Sequence, residues 1–441
     1  MMLRTVGLPL LVCLPLAACG DDQSGPSDDT GGQTSGYTGE QASTGQSDAT
    51  GPVDPTEGGS VDATTGGDAS GDSGDASDTA PPTTGTSGGE SDSDTDTGEP
   101  SPWDGEPLPP ADDGEWNWVD FPDAKCRDGS PTGIGVRYGS GDGLVIYFQG
   151  GGACFNGITC GTNPASFDAG NFAGFSGGAG AQNFFSTDGQ NPVGDWSFIY
   201  VPYCTGDVHA GARPDATVDG VIGQQQFVGY TNVGYYLDRV VPTFIDGTTR
   251  VLVAGESAGG FGAAFNYDRI AEAFPGAAVS LLDDSGPPLA DDVMAPCLQK
   301  QWREAWNLDL TMPADCDACF PPDGGGIINL AAYLGEKWSD QRLVLLSSLH
   351  DTVIRFFFGF GGDECNALIP NTPADAFEAG LYTLRDNFLQ TPAGVWGTYY
   401  IDSDTHTWIG GGGYFSQEVD GVKIVDFVRA LTEGQVSHVS P

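Results

Sequence analysis

The segment Gly255-Glu256-Ser257-Ala258-Gly259 has the residue types and the spacing that nucleophilic catalysis requires. A serine on a tight turn between a buried strand and a helix exposes its hydroxyl, and small neighbours relieve the crowding of such a turn. The apolar run Val251-Leu252-Val253-Ala254 precedes it, and the helix-compatible stretch Phe261-Gly262-Ala263-Ala264-Phe265-Asn266-Tyr267 follows. The same Gly-x-Ser-x-Gly spacing recurs at Gly85-Thr86-Ser87-Gly88-Gly89 and at Gly174-Phe175-Ser176-Gly177-Gly178. The first of these lies in a polar low-complexity tract and the second in a glycine-rich stretch, and neither follows a hydrophobic strand or opens a helix. Ser257 is therefore the candidate nucleophile.

A serine hydroxyl attacks only beside a base, which in turn needs an acid to orient it. After a nucleophile elbow the expected chain order is serine, acid, histidine. The chain has four histidines. His209 and His350 come too early for this order, and His438 lies close to the C-terminus, where chains usually fray. His406 remains, in the loop Asp402-Ser403-Asp404-Thr405-His406-Thr407-Trp408 after the strand-like Gly397 to Ile401. Asp351, directly after the apolar run Leu343 to Ser347, is the preferred acid. Asp283, Asp284 and Asp404 compete for that role. A tetrahedral oxyanion also needs preorganised N–H donors. The loop Gln149-Gly150-Gly151-Gly152-Ala153-Cys154 after Leu144 to Phe148 can supply them from Gly151 and Gly152, together with Ala258 after the nucleophile. A plain glycine turn is the alternative reading of that loop.

These groups must be carried by a sheet. Strands are expected at Leu144 to Phe148, Trp196 to Pro202, Arg250 to Ala254, Ala277 to Leu282, Leu343 to Ser347 and Val395 to Ile401. Helices are expected at Asn232 to Ile245, Gly260 to Phe274, Pro373 to Leu389 and Val422 to Thr432. Apolar strands alternating with helical patterns predict an α/β fold, a mostly parallel sheet flanked by helices with α/β-hydrolase-like spacing. The interval from Pro287 to Trp338 holds Cys297, Trp302, Trp306, Cys316 and Cys319 and reads as a disulfide-braced cap insertion; packing on the sheet alone would also account for its aromatics.

The N-terminus has a different character. Residues 1–18 carry one Arg and a short apolar core, too short for a stable membrane span, and end in Leu16-Ala17-Ala18-Cys19. They resemble a bacterial lipoprotein signal, which would make Cys19 the lipidated residue. From 19 to 102 the chain is Gly, Ser, Thr, Asp and Pro, with no Lys or Arg, and cannot build a core. It reads as an acidic, disordered linker to a catalytic domain at 103–441. The whole chain carries 61 Asp and Glu against 16 Lys and Arg, a formal charge of −45, so nucleic acid is not an expected partner. Eight cysteines follow Cys19, an even number that reads as disulfides in an exported protein. Cys154 with Cys160, and Cys316 with Cys319, are close enough to pair locally; the full connectivity stays open.

Taken together, Tyr147 to Cys154 with Cys160, Pro202-Tyr203-Cys204-Thr205-Gly206-Asp207, Gly255 to Gly260, Asp284-Ser285-Gly286, Asp351 and His406 resemble the pectin acetylesterase group, which includes the Notum carboxylesterases. The resemblance implies Ser257, Asp351 and His406 as the triad and gives Asp284 a structural place. It departs at Ala153, where plant members have an aromatic residue, and at His209, where they often have Trp. The expectation is a lipid-anchored serine carboxylesterase at the bacterial cell envelope. It would remove acetyl or another small acyl group from a glycan or similar ester, with no metal or organic cofactor, no obligate protein partner, and membrane contact through the lipid alone. A lipase- or thioesterase-type deacylase and a non-catalytic surface binding protein are the competing classes.

Overall fold

The computed structural model describes residues 102–441. The leader 1–18, Cys19 and the acidic segment as far as residue 101 lie outside the described residues. The described chain is built on a nine-stranded sheet: β1 (Trp116–Lys125), β2 (Pro131–Arg137), β3 (Gly143–Phe148), β4 (Ser197–Val201), β5 (Arg250–Glu256), β6 (Ala278–Asp284), β7 (Arg342–Ser348), β8 (Trp396–Ile401) and β9 (His438–Val439). The spatial order is β1-β2-β4-β3-β5-β6-β7-β8-β9, antiparallel at β1/β2 and β2/β4 and parallel from β4 onward. This is the expected mostly parallel α/β sheet.

The central strands are legible as apolar runs because both faces are covered. Every residue of β3, β4 and β8 is buried. One face carries α2 (Gly229–Phe244) and α3 (Ala258–Ala273), whose Val233, Leu237, Phe261 and Ile270 join the larger core cluster. The other face packs α8 (Ile424–Thr432) and an aromatic group of Phe172, Phe184, Phe185 and Tyr200. α1 (Gly157–Thr162) precedes these helices along the chain, and α4 (Pro296–Trp306), α5 (Asn329–Lys337), α6 (Thr352–Phe358) and α7 (Ala374–Asn387) lie between α3 and α8.

Two edges differ from expectation. The hairpin β1–β2 is not visible as apolar runs: β1 contains Asp120, Pro122 and Asp123 and is only partly buried, as an edge strand tolerates. At the other edge the C-terminus does not fray, since His438 and Val439 pair with Thr398 and Tyr399 of β8.

All eight cysteines after Cys19 are paired: Cys126–Cys204, Cys154–Cys160, Cys297–Cys365 and Cys316–Cys319. The two short-range pairs are those that sequence proximity suggested, and the two long-range pairs had no local signal. Cys297–Cys365 ties α4 of the insertion to the segment after α6. The insertion is packed rather than open at its aromatics. Trp302 and Trp306 are 2% and 0% exposed and meet Phe155, Phe261 and Phe358. Truncating a buried indole of this kind to Ala costs about 3–5 kcal/mol. No helix among the described residues is long and apolar enough to cross a membrane.

Candidate active site

The parallel register aligns the carboxyl ends of four neighbouring strands: Phe148 pairs with Gly255, Glu256 with Asp284, and Asp284 with Leu346. Loops leaving those ends converge on one crevice, as open α/β sheets dictate. Ser257 stands between β5 and α3 at φ 57°, ψ −122°, a left-handed conformation costly for a residue with a side chain. Two glycines allow the turn. A methyl group on Gly255 would sit 2.0 Å from the Gly259 carbonyl oxygen, and one on Gly259 would sit 1.9 Å from the Phe148 carbonyl oxygen. The Ser257 amide donates to the Asp284 carbonyl at 2.7 Å, which fixes the turn against β6.

His406 comes from the loop after β8, and its Nε2 lies 2.7 Å from Ser257 Oγ. Its Nδ1 lies 2.7 Å from Asp351 Oδ2. An ionised carboxylate only accepts hydrogen bonds, so Nδ1 carries the proton and Nε2 is left as the acceptor for the serine hydroxyl. Asp351 is fully buried and begins α6, where its Oδ1 accepts from the Val353 and Ile354 amides at 2.8 and 2.9 Å. Those cap bonds turn the second oxygen toward the imidazole. Burial pulls the His406 pKa down, but the hydrogen bond and charge of Asp351 outweigh it and leave the imidazole above its ordinary value.

The three competing acids stand elsewhere. Asp284 Oδ2 accepts from the backbone amides of Trp408 and Ile409 and makes no hydrogen bond to the imidazole. Asp283 Oδ1 accepts from the Gly286 amide beside α3. Asp404 offers its carbonyl to Thr352 Oγ1 at 3.4 Å. Burial pushes the Asp283 and Asp284 carboxyls up to about 8 and about 7.

The glycine loop runs alongside the serine, and a methyl on Gly150 would lie 3.1 Å from Ser257 Cβ. Its carbonyls are tied back: Gly151 O accepts from Asn163 Nδ2 and Gly152 O from the Tyr203 hydroxyl, both at 2.8 Å. The amides of Gly151 and Gly152 meet no acceptor among the described residues. Ala258 opens α3, where first-turn amides have no intrahelical partner. The three amides are thus without a protein acceptor among the described residues.

His209 is a core side chain. It is 2% exposed beneath the loop and donates from Nε2 to the Gln149 carbonyl at 2.9 Å, with burial pushing its pKa down to about 4. Trp306 Nε1 donates to the Cys154 carbonyl, so the insertion also braces this loop. A methyl on Gly152 would approach Phe357 of α6 to 3.2 Å, and Phe356 and Phe360 stack edge-on beside it. All three rings are only partly buried. The roles of Asn163, Tyr203, Asp284 and Ser285 were not readable from type and spacing, because each acts on the backbone of a distant loop.

A family model described as pectinacetylesterase matches residues 117–316, a span that holds the glycine loop and Ser257 but ends before Asp351 and His406. Palmitoleoyl-protein carboxylesterase NOTUM of Mus musculus is 28% identical over 206 residues, covering 44% of this chain and 38% of that protein. The Homo sapiens protein of the same name is 28% identical over 174 residues, covering 36% and 34%. The chain thus spans under two fifths of the length of these relatives. Among solved structures, that of the Wnt deacylase Notum from Drosophila superposes with a TM-score of 0.53 at 17% identity, covering 72% of this chain and 93% of that one, a likeness of fold. The domain match over residues 117–316, the Notum relatives and the shared fold together support the pectin acetylesterase/Notum family for this chain.

Proposed function

We propose that the chain is a serine carboxylesterase in which Ser257 attacks an ester carbonyl. The single observation that carries this reading is the unbroken line Ser257 Oγ, His406 Nε2, His406 Nδ1 and Asp351 Oδ2, with both contacts at 2.7 Å. As Oγ bonds to the carbonyl carbon, Nε2 takes the hydroxyl proton and Asp351 stabilises the imidazolium. The carbonyl oxygen gains the negative charge and is met by the amides of Gly151, Gly152 and Ala258. Collapse expels the alcohol, protonated by His406, and leaves an acyl-serine. Water, deprotonated by His406, then releases the acid.

For the substrate we favour acetyl or another small acyl group on a glycan. Ala153 leaves the glycine loop without the bulk of an aromatic side chain, and the excess of acids over bases disfavours a polyanion. A second reading, a deacylase of longer chains, draws support from the partly exposed Phe357 beside Gly152, with Phe356 edge-on to it and Phe360 edge-on to Phe356, which offer an apolar wall. p-Nitrophenyl esters of rising chain length separate the two. Turnover confined to acetate and propionate supports the first, rising kcat/KM toward long chains supports the second, and no turnover of any ester contradicts both. The site is placed outside the cytoplasm by the same reading, since four disulfides persist only in an oxidising compartment. Anchoring through Cys19 predicts that Cys19→Ser moves the protein from the membrane to the soluble fraction with esterase activity unchanged; retention in the membrane would reject it.

A further inference from the structure

Unlike Ser257 and Asp351, His406 does not stand at the end of a regular element. It lies five residues beyond the end of β8, yet its ring must hold two 2.7 Å contacts at once. Two buried side chains at the end of β6, Asp284 and Ser285, grip the backbone around it. Ser285 Oγ donates to the His406 carbonyl at 2.5 Å, and Asp284 Oδ2 accepts from Trp408 N at 2.7 Å and Ile409 N at 2.8 Å. Both residues are 0% exposed. We propose that Asp284 and Ser285 are positioning residues that clamp the loop on either side of the imidazole and so hold Nε2 against Ser257. The proposal rests on the reading of the site given above.

A proton count sharpens it. The Ser285 hydroxyl has one hydrogen, yet its oxygen lies 2.5 Å from the His406 carbonyl and 3.0 Å from Asp284 Oδ1. Either the one hydrogen is shared between two acceptors, or Asp284 Oδ1 is protonated and donates to Ser285 Oγ while Ser285 donates onward to His406 O, which makes both contacts full hydrogen bonds. The surroundings favour the protonated state. Glu256 on β5, Asp283 on β6 and Tyr147 on β3 interact electrostatically with Asp284, and His406 is the basic group among them. Burial, first, and the Glu256 charge raise the Asp284 pKa toward neutrality, against the two amide bonds that lower it. In the neutral form one oxygen accepts the two amides and the other donates.

This arrangement is one that an amide side chain reproduces: an asparagine oxygen accepts from Trp408 N and Ile409 N while its nitrogen donates to Ser285 Oγ. The test measures kcat, KM and the pH profile of kcat/KM on a p-nitrophenyl ester for wild type, Asp284→Asn, Asp284→Ala, Ser285→Ala and Ser257→Ala. Expected are Asp284→Asn within about threefold of wild-type kcat, and losses of about 100-fold for Asp284→Ala and about 10-fold for Ser285→Ala. In the last two KM changes by less than about twofold, and the acid limb moves to lower pH as the Asp351 contact loosens. A merely structural role would reduce the folded fraction without moving that limb. The proposal is overturned if Ser285→Ala keeps wild-type kcat and acid limb, if kcat falls with the limb unmoved, or if Asp284→Asn is as damaging as Asp284→Ala. Should Asp284→Ala fail to fold, Ser285→Ala and Asp284→Asn still decide. Turnover surviving in Ser257→Ala would instead reject the reading of the site and leave the clamp unaddressed by kinetics, in which case hydrogen exchange of the Trp408 and Ile409 amides decides it: faster exchange in Asp284→Ala than in Asp284→Asn supports the clamp, equal exchange overturns it.

Discussion

Ser257 and Asp351 occupy one kind of place in this molecule and His406 another. The serine and the aspartate stand where a strand of the central sheet hands over to a helix, so their positions follow from the fold itself. The histidine lies in a loop whose backbone is held by groups far away in sequence: Ser285, Asp284, Phe184 and Asn183. Two thirds of the candidate triad are thus set by local strand–turn–helix geometry, while the remaining third depends on long-range polar contacts in a buried setting. Such contacts are strong where water is excluded and costly when half-satisfied. The histidine side is therefore where mutation should disturb orientation without disturbing the sheet.

The bluntest way to break the comparison is to delete a reacting group from each side. Ser257→Ala and His406→Ala should each lower kcat by a factor on the order of a million, as in comparable triads, because the two act as one unit. Thermal melting should stay within a few degrees of wild type, since neither side chain fills the core. Asp351→Asn keeps the shape but lets the amide donate to Nδ1, stabilising the wrong tautomer. A loss of about 10⁴ in kcat is expected there, against less than about threefold for Asp404→Asn, which touches Thr352 through its carbonyl only. Equal damage from the two would mean that the acid is misassigned.

A smaller effect sharpens the electrostatic side. The imidazole must be neutral to accept the serine proton, and its pKa stands above the ordinary 6.5. kcat/KM should therefore fall as pH is lowered through a midpoint above 6.5. Removing the Asp351 charge takes away the contributions that raise it, so the midpoint should drop in Asp351→Asn. A midpoint in that variant equal to or above wild type would contradict this origin of the shift.

The same contrast explains what the sequence revealed. The elbow was readable because Val251 to Ala254, Ser257 and the small residues around it encode a strand, a tight turn and a helix within one short window. The six central strands were readable because burial on both faces forces continuous apolar runs, and their ends lie within two residues of the runs themselves. β1 was not, because an edge strand can carry Asp120, Pro122 and Asp123 without penalty. Nor was β9, where two residues join the sheet only through the partner strand. In the candidate site, His406 emerged by chain order among four histidines rather than by any local pattern. Asn163 and Tyr203, which donate to the glycine-loop carbonyls, carry no signature at all. Their partners are backbone groups 12 and 51 residues away. His209, which stands where the resembling family often has Trp, is a core side chain supporting Gln149.

The most direct test of the central claim is covalent labelling with a fluorophosphonate, with the modified residue located by mass spectrometry. An activated serine beside a neutral imidazole and three amide donors should react stoichiometrically, at Ser257 alone, with loss of esterase activity in step. Full esterase activity with Ser257 unlabelled, or labelling concentrated on another residue, would contradict it.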